Sequence, residues 1–301
     1  MPELPDIEAY IEALEARILR QPIADIQISN PFLVRSVEPP WQEAIGKQVT
    51  SIRRLGKRIV FGLEEELFVI IHLMIAGRFH WKAHRFKPNR QTLATFTFSA
   101  GKLALTEAGS KRRASLYVVQ GEAALASHDP GGIDVLATDL DSFAAALTRE
   151  NHTLKRALTD PHLFSGIGNA YSDEILLEAG ISPLQLTKRL DDPTIRRLYT
   201  ATQKTLQSWS EKLRGEARKS FPEKVTAFRE DMAAHGKYGQ PCPKCATPIQ
   251  RITYAENEAN YCPTCQTGGR LLADRALSRL LKEDWPRTLD ELERRYQKNS
   301  S

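Results

Sequence analysis

The first six residues, Met-Pro-Glu-Leu-Pro-Asp, place a proline at position 2, where it could become a reactive amine. A chain that begins Met-Pro usually loses its methionine, because the second residue is small enough for the processing enzyme, and Pro2 would then carry a secondary amine. An α-amino group titrates near ~8 and a lysine near ~10.4, so the amino terminus has the larger uncharged, nucleophilic fraction at neutral pH. The same residues also fit a helix start, with Asp6 as a cap before apolar positions at helical spacing.

The four cysteines form a second group of residues that could do chemistry. They make two Cys-x2-Cys pairs sixteen residues apart: Cys242, Cys245, Cys262 and Cys265. Two residues between cysteines let both sulfurs of a turn point at one ion, and four thiolates complete a tetrahedral zinc site with no open position. The alternative is a pair of disulfides or a redox pair. The lack of any further cysteine and of an export signal favours one structural zinc ion.

A third group surrounds the glycine-containing stretch LFSGIGNAYSDEIL. Gly166 and Gly168 flank one apolar residue, and Asn169 immediately precedes a predicted helix. Backbone N–H groups therefore gather at a helix start, an arrangement that binds phosphate. Lys155, in the preceding predicted helix, could approach the same phosphate. The alternative is an ordinary tight turn in which Asn169 caps the helix.

Two basic segments of the amino-terminal half leave a similar choice. Lys57 lies in RRLGKRIV, at a glycine turn between two β-rich runs, and could contact a phosphate or shuttle a proton. The segment EAGSKRRASL, residues 107–116, is also basic. Either segment could instead be a solvated rim, which is the commoner role of clustered surface charge.

The secondary structure that must position these residues changes along the chain from one helix to β-rich runs and then to helices. Residues 2–20 predict one helix, and seven β-rich runs between residues 23 and 120 indicate a β-sandwich. These runs are IADIQIS, QVTSIRRL, RIVFGL, LFVIIHLMI, TLATFTF, KLALTE and SLYVVQ. A helical block follows, then the cysteine module, then helical segments at 270–285 and 288–298. We predict an α+β fold with domains at 1–135, 136–230, 231–270 and 271–301.

Composition narrows the class of function. The chain has 301 residues, and 42 Lys and Arg against 37 Asp and Glu give a net charge of +5 and a pI near 9.0. This balance favours a polyanionic partner. No apolar run is long enough to span a bilayer. Acidic residues at positions 3, 6 and 8 exclude a secretory signal, so we expect a cytoplasmic protein.

In combination, these motifs resemble those of the formamidopyrimidine-DNA glycosylase/endonuclease VIII family. MPELPDIE is similar to the amino-terminal catalytic motif, RRLGKRIV to the segment with the catalytic lysine, and IHLMIAG to a β-sandwich strand. LFSGIGNAYSDEIL resembles the helix–two-turn–helix, and YGQPCPKC with YCPTCQ resembles the zinc finger. The resemblance runs to about residue 266. It implies a bacterial base-excision-repair enzyme, a DNA glycosylase with AP-lyase activity that acts as a monomer on double-stranded DNA with oxidised bases or abasic sites.

The resemblance also implies a role for each candidate residue. Pro2 would attack C1′ of the damaged nucleotide, and Glu3 would protonate the sugar oxygen as the ring opens. Lys57 would hold the flanking phosphate and assist proton transfer. Other residues would grip the DNA, fill the gap left by the displaced base or order the site: Lys155, Asn169, Glu174, Met74, Ile75, Arg112, Arg113 and Asn257.

Several positions depart from the family pattern. Asp6 replaces a common glutamate, Met74 takes a glycine position, and Ile75 takes that of the gap-filling methionine. RRAS replaces RRFG, so Ala114 supplies no aromatic wedge. Asn257 aligns with the finger arginine that supports δ-elimination, which makes δ-elimination doubtful. The segment between residues 216 and 226 does not match the loop that covers oxidised guanine in the purine-specific branch.

These departures leave two questions open. Arg251 or Arg270 could replace the missing finger arginine. The chain could also be a catalytically silent protein that binds damaged DNA on the same scaffold, although the complete amino-terminal motif opposes this alternative.

Overall fold

The computed structural model describes residues 1–109, 111–254, 257–273, 285–292 and 294, with the side chains of all but Tyr254 and Asn257. The chain forms two compact units. The first comprises Met1–Gly132 and Leu206–Thr226, and the second comprises Ile133–Thr205 and Ala227–Ser301. Each unit is built from segments that are distant in sequence.

The first unit begins with a helix, α1, at Leu4–Ile18. Glu3 and Asp6 form a capping box, in which each side chain accepts a hydrogen bond from the backbone of the other, and Pro5 lies in the first turn. Both features favour a helix start at this point. The apolar side chains of α1, at helical spacing, are buried in the core of the unit.

Eight strands follow α1. They are β1 Asp25–Ile28, β2 Val49–Leu55, β3 Arg58–Leu63, β4 Leu67–His72, β5 Gly77–Lys82, β6 Thr92–Phe98, β7 Gly101–Glu107 and β8 Ser115–Gln120. They form two antiparallel four-stranded sheets in the orders β1-β6-β7-β5 and β2-β3-β4-β8. The predicted α+β class and β-sandwich are confirmed. A short helix, α2 at Glu122–Ala126, comes after β8.

Strand β5 is the one strand of the sandwich that the apolar pattern does not predict. The run LFVIIHLMI suggests a strand to Ile75, but β4 ends at His72 and the chain then turns. Met74 has φ of 52°, in the left-handed region that interrupts a strand. Strand β5, GRFHWK, has mainly polar or half-buried side chains on one face, which weakens its hydrophobic signal.

Aromatic side chains fill the core of the first unit. Phe61 of one sheet meets Phe96 of the other edge to face, with ring centroids 6.1 Å apart. Tyr10 of α1 meets Phe79 of β5 in the same way at 5.5 Å. Because such contacts join α1 and both sheets into one core, the position of the amino terminus depends on the packing of the sandwich.

The second unit is mainly helical. Its helices are α3 Leu140–Thr148, α4 Leu154–Thr159, α5 Asn169–Ala179 and the first part of α6, Asp192–Lys219. A hairpin of β9 Gln250–Tyr254 and β10 Asn257–Tyr261 leads into α7, Pro263–Thr267. Helices α4 and α5 contact each other across the glycine turn, as the sequence predicts. Within the described chain, no helix is both long and apolar enough to cross a membrane.

The carboxy-terminal segment differs from its prediction where the structure describes it. The predicted helix at 270–285 does not begin at Arg270, because Arg270 bridges Thr288 in antiparallel fashion and the Leu271 N–H donates to the Arg287 carbonyl at 2.8 Å. Residues 289–292 are helical. Residues 274–284, 293 and 295–301 of the two predicted helices lie outside the described residues.

The packing of the sandwich predicts a contrast between two phenylalanines. Phe96 is fully buried and Phe32 is 77% exposed. Phe96→Ala should lower the free energy of unfolding by about 3–5 kcal/mol, because it leaves a cavity between the sheets. Phe32→Ala should change it by less than about 0.5 kcal/mol. Urea unfolding of both variants measures the difference, and equal effects would contradict the assigned core.

Candidate functional site

The start of α1 fixes the residues next to the amino terminus. The Glu3 N–H donates to Asp6 Oδ2 at 2.9 Å, and Glu3 and Asp6 are both buried. The positive end of the helix dipole lies at this point. Pro2 is also buried. The amino terminus is therefore held in one direction by the helix that follows it.

The surroundings of the terminal amine favour its uncharged form. Burial lowers the pKa of the Met1 amino group below its ordinary value of 8.0. Arg78 and Lys57 lower this pKa further, whereas the negative charges of Glu3 and Asp6 raise it. Removal of Met1 would give these surroundings to the Pro2 nitrogen. An amine in such a place is more often a neutral nucleophile than one in water.

Asp6 carries a second shifted pKa in the same place. Burial raises the pKa of its carboxyl to about 7, although the Glu3 N–H opposes the change. Because the folded chain binds this proton more tightly than the unfolded chain, the carboxyl stabilises the fold at acidic pH. That contribution disappears as the pH rises through about 7. A carboxyl that exchanges a proton near neutrality therefore contacts the backbone of Glu3.

Lys57 lies at the tip of the hairpin between β2 and β3, in the two-residue turn that joins Leu55 to Arg58. Gly56 precedes it with φ of 60°, which a glycine adopts without strain. Burial lowers the pKa of Lys57, and Glu3 partly opposes the change. Lys57 thus lies within electrostatic range of both Glu3 and the terminal amine. A lysine with a lowered pKa is uncharged more often than an ordinary lysine at the same pH, so it accepts a proton more readily.

A tight turn between β4 and β5 carries Met74 and Ile75. The Gly77 N–H donates to the Leu73 carbonyl at 2.9 Å, and a Cβ on Gly77 would come within 2.2 Å of that oxygen. Met74 has φ of 52°, in the left-handed region that a glycine adopts more readily than a methionine. Ile75 is 57% exposed. The turn therefore presents an apolar side chain to the surroundings.

The loop before β8 carries Arg112 and Arg113, which are both exposed. The Arg112 guanidinium donates to the carbonyl of Arg90. The backbone N–H groups of Arg113 and Ala114 donate to the carboxylate of Glu107. Ala114 is buried in the core of the first unit, whereas the side chains of the two arginines are exposed.

In the second unit, Lys155 lies in a buried ion pair. Its Nζ contacts Asp173 Oδ1 at 2.5 Å and donates to the Asn169 carbonyl at 2.6 Å. The other Asp173 oxygen contacts His235 Nδ1 at 2.8 Å and accepts from Asn260 Nδ2 at 3.1 Å. In this structure Lys155 holds the first residue of α5, and its predicted contact with phosphate stays a prediction.

Two further predicted residues lie on α5. The sequence places Asn169 just before the helix, but α5 begins at Asn169 and Gly168 is the cap residue. Asn169 remains half-buried at a helix start, where backbone N–H groups favour anions. Glu174 is buried, and its carboxylate accepts from the N–H groups of Ala233, Ala234 and His235 at 2.8–2.9 Å.

The four cysteines meet at one point of the second unit. Their sulfur atoms all lie within 4.8 Å of one another, and none is in a disulfide. The distance is 3.4 Å for Cys245–Cys262 and 4.0 Å for Cys242–Cys265. Zn–S bonds of about 2.3 Å in tetrahedral geometry separate the sulfurs by about 3.8 Å. The cluster fits one structural zinc ion.

The finger hairpin places the remaining candidates. Asn257 begins β10 and its backbone pairs with Tyr254. The Arg251 guanidinium lies over the Tyr238 ring, 4.5 Å from its centroid, and 3.8 Å from the carboxylate of Glu258. Arg270 lies beyond the hairpin, in its bridge with Thr288. Arg251 is thus the candidate cation on the hairpin itself.

Sequence reasoning missed four residues that hold these elements: Arg78, Glu107, Asp173 and His235. Arg78 lies in the strand that the apolar pattern does not predict. Glu107 and Asp173 are acidic residues at positions that the fold buries. The adjacent acids of YSDEIL, in an otherwise apolar helix, are the one signal that could have identified Asp173.

Comparison with known proteins decides the family. The formamidopyrimidine-DNA glycosylase N-terminal domain matches residues 1–114, the formamidopyrimidine-DNA glycosylase H2TH domain matches 132–217, and the zinc finger found in FPG and IleRS matches 239–268. The formamidopyrimidine-DNA glycosylase of Desulfitobacterium hafniense is 30% identical over 275 residues, which is 88% of this chain and 100% of that protein. This chain belongs to the formamidopyrimidine-DNA glycosylase family. The resemblance seen in the motifs is confirmed.

Other members of the family give the same result. The formamidopyrimidine-DNA glycosylase of Herpetosiphon aurantiacus is 31% identical over 276 residues, 88% of this chain and 100% of that protein. Among solved structures, a variant of Lactococcus lactis FPG bound to Fapy-dG DNA has a TM-score of 0.79 at 26% identity, over 88% of this chain and 100% of that chain. Lactococcus lactis Fpg bound to abasic-site DNA has a TM-score of 0.78 at 25% identity, over 88% and 99%.

The cysteine cluster predicts one bound zinc ion per chain. Cys245→Ser should lower the zinc content and the melting temperature together, because the metal and the fold of the hairpin are coupled. Thr264→Ser, a change of one methyl group on the same module, is the matched control. Elemental analysis with thermal unfolding makes the measurement. Full zinc content in Cys245→Ser would contradict the four-thiolate site.

Proposed function

We propose that this chain, a base-excision-repair DNA glycosylase with AP-lyase activity, does its chemistry with the amino group of Pro2. The observation that carries the proposal is the surroundings of the terminal amine, which lower its pKa and place it within electrostatic range of Glu3 and Lys57. The residue types, their order and the family support this assignment.

The reaction follows from the chemistry of a secondary amine. The Pro2 nitrogen attacks C1′, and the bond to the damaged base breaks with its electron pair on the base. The amine proton passes to the departing base, and Glu3 donates a proton to the sugar oxygen as the ring opens. An iminium between Pro2 and C1′ remains. The iminium makes the C2′ protons acidic. Removal of one, with Lys57 as the acceptor, expels the 3′ phosphate by β-elimination.

The substrate in this proposal is double-stranded DNA that contains an oxidised base or an abasic site. Solved relatives are bound to Fapy-dG DNA and to abasic-site DNA. The damaged nucleotide must leave the stack, at a cost of a few kcal/mol. We assign Met74, Ile75, Arg112 and Arg113 to the gap that it leaves. Ile75 and the two arginines are exposed on turns of the first unit, which supports this assignment.

The second unit supplies the grip on the backbone. We assign phosphate contacts to Asn169, at the helix start, and to Lys155, which also holds the Asn169 carbonyl. Glu174 orders the site by holding residues 233–235. Asn257 contacts DNA from the finger hairpin, and its uncharged side chain makes δ-elimination weak. We keep the four predicted domains, 1–135, 136–230, 231–270 and 271–301, as part of the proposal.

We also propose that the protein acts as a monomer in the bacterial cytoplasm. The relatives that it matches come from bacteria. Its sequence contains no heptad pattern and no other pattern typical of a symmetric interface. A catalytically silent DNA-binding protein is not favoured, because the amino-terminal motif is complete and the named relatives are glycosylases.

Borohydride trapping tests the proposal. Borohydride reduces the iminium to a stable amine, so the wild-type protein should form a covalent complex with a duplex that contains an abasic site or an oxidised base. Pro2→Gly keeps an amino terminus but loses the secondary amine, and it should trap far more weakly. Glu3→Gln should lose base excision and retain more activity on a pre-formed abasic site. Unchanged trapping in Pro2→Gly would contradict the assignment of the nucleophile.

The pH dependence of trapping tests the surroundings of the amine. Only the neutral amine attacks, so the rate on an abasic site should rise with pH and level off, with a midpoint below the pKa of the same Pro2 amine in a short peptide of these residues. Arg78→Gln removes a positive charge and should move the midpoint up. Glu3→Gln removes a negative charge and should move it down. Shifts of the same sign would show that the two charges do not act on the amine.

A further inference from the structure

Glu107, the last residue of β7, is a buried carboxylate in the first unit that the proposed reaction does not use. It is 2% exposed, and no described cation pairs with it. Its side chain instead accepts hydrogen bonds from the backbone N–H of Arg113, at 3.0 Å and 2.9 Å to the two oxygens, and from that of Ala114 at 3.0 Å. A buried carboxylate needs such donors, because burial without them is costly.

The bonds of Glu107 close the loop that carries the two arginines. The loop leaves β7 at Glu107 and enters β8 at Ser115, so the carboxylate at its first residue holds the backbone at its end. Consecutive N–H groups that point to one anion fix the conformation of the peptide between them. Arg112 lies just before this peptide and is tied on its other side to the Arg90 carbonyl.

Glu107 also touches the second turn assigned to the DNA gap. In the pairing of β5 with β7, Glu107 is opposite Gly77, which closes the turn that carries Met74 and Ile75. Its own N–H donates to the Gln91 carbonyl at 2.9 Å, next to the segment that receives Arg112. One residue thus contacts both turns.

We propose that Glu107 is a positioning residue, which holds Arg112 and Arg113 in the direction needed to occupy the gap left by the displaced nucleotide. The inference rests on the proposed function of this unit. It adds an anionic anchor for the loop. The anchor depends on the charge of the Glu107 carboxylate and not only on the size of the side chain. Glu107 touches neither substrate nor reacting atoms, so it acts through the loop alone.

The isosteric variant Glu107→Gln separates charge from size. With its oxygen at the Oε2 position the amide still accepts from both N–H groups, but without the negative charge. Its NH2 group then faces the Arg113 N–H, donor against donor, so the anchor of the loop is weakened. In duplex DNA the gap must be filled, whereas a single strand has no stacked pair to replace. We expect trapping of an abasic site in duplex DNA to fall by about ten- to a hundredfold, the range for loss of hydrogen bonds to a charged group. Trapping of the same site in a single strand should change little.

The experiment measures borohydride trapping rates on matched single-stranded and duplex oligonucleotides that carry one abasic site. Glu122→Gln is the control, since Glu122 is an exposed glutamate of the same unit that pairs with Arg53. A selective loss on the duplex supports the proposal. The proposal would be overturned if Glu107→Gln trapped both substrates at the wild-type rates. It would also be overturned if the variant, with an unchanged melting temperature, lost the same factor on both substrates. A wild-type protein that traps neither substrate would instead overturn the proposed function on which the inference rests.

Two further variants keep the test decisive. If Glu107→Gln unfolds, Glu107→Asp, which keeps the charge one methylene shorter, replaces it and should show the same selective loss to a smaller degree. In a chain that carries both Arg112→Ala and Arg113→Ala, Glu107→Gln should reduce duplex trapping no further, because its effect passes through these side chains. Additive losses would show that Glu107 acts by another route.

Discussion

The chemistry of this chain depends on the capping box at the start of α1. Glu3 and Asp6 satisfy each other's backbone at a buried helix start, so the residues before them leave the helix in one fixed direction. A terminal amine is otherwise among the most mobile groups of a protein. Here it is held in place by the helix start. Burial and the positive end of the helix both favour its neutral form. The β-sandwich matters because its core holds α1 through Tyr10 and Phe79.

Buried carboxylates act as anchors for backbone segments throughout the molecule. Asp6 receives the Glu3 N–H, Glu107 the loop before β8, and Glu174 the segment at 233–235. Each holds its backbone segment by hydrogen bonds with a defined direction, which fixes the conformation of a segment that presents polar side chains. Such anchors are costly to bury, and they fix a conformation that packing alone would leave variable.

Much of the fold can be predicted from the sequence. The features that could not be predicted depend on a weak hydrophobic signal, on contacts between residues that are distant in sequence or on a choice between neighbouring residues. Short β-rich runs separated by turn residues predict seven of the eight strands of the sandwich, and the cysteine spacing predicts a zinc site whose sulfurs do converge. The apolar pattern does not predict strand β5, because the polar side chains on one of its faces weaken its hydrophobic signal. The starting point of α5 shifts by one residue, since Gly168 and Asn169 are both acceptable caps. The sequence suggests that Lys155 is available to bind phosphate. In the structure it is buried in an ion pair with Asp173, a partner that only the tertiary structure brings near.

The most direct test of the account is to locate the trapped bond. After borohydride trapping on an abasic duplex and trypsin digestion, mass spectrometry identifies the peptide that carries the sugar remnant. We expect the peptide of residues 2–17, which ends at Arg17, with Met1 absent and the added mass on Pro2. An adduct on a peptide that contains Lys57, or an amino terminus that retains Met1 in a protein that still traps DNA, would contradict it.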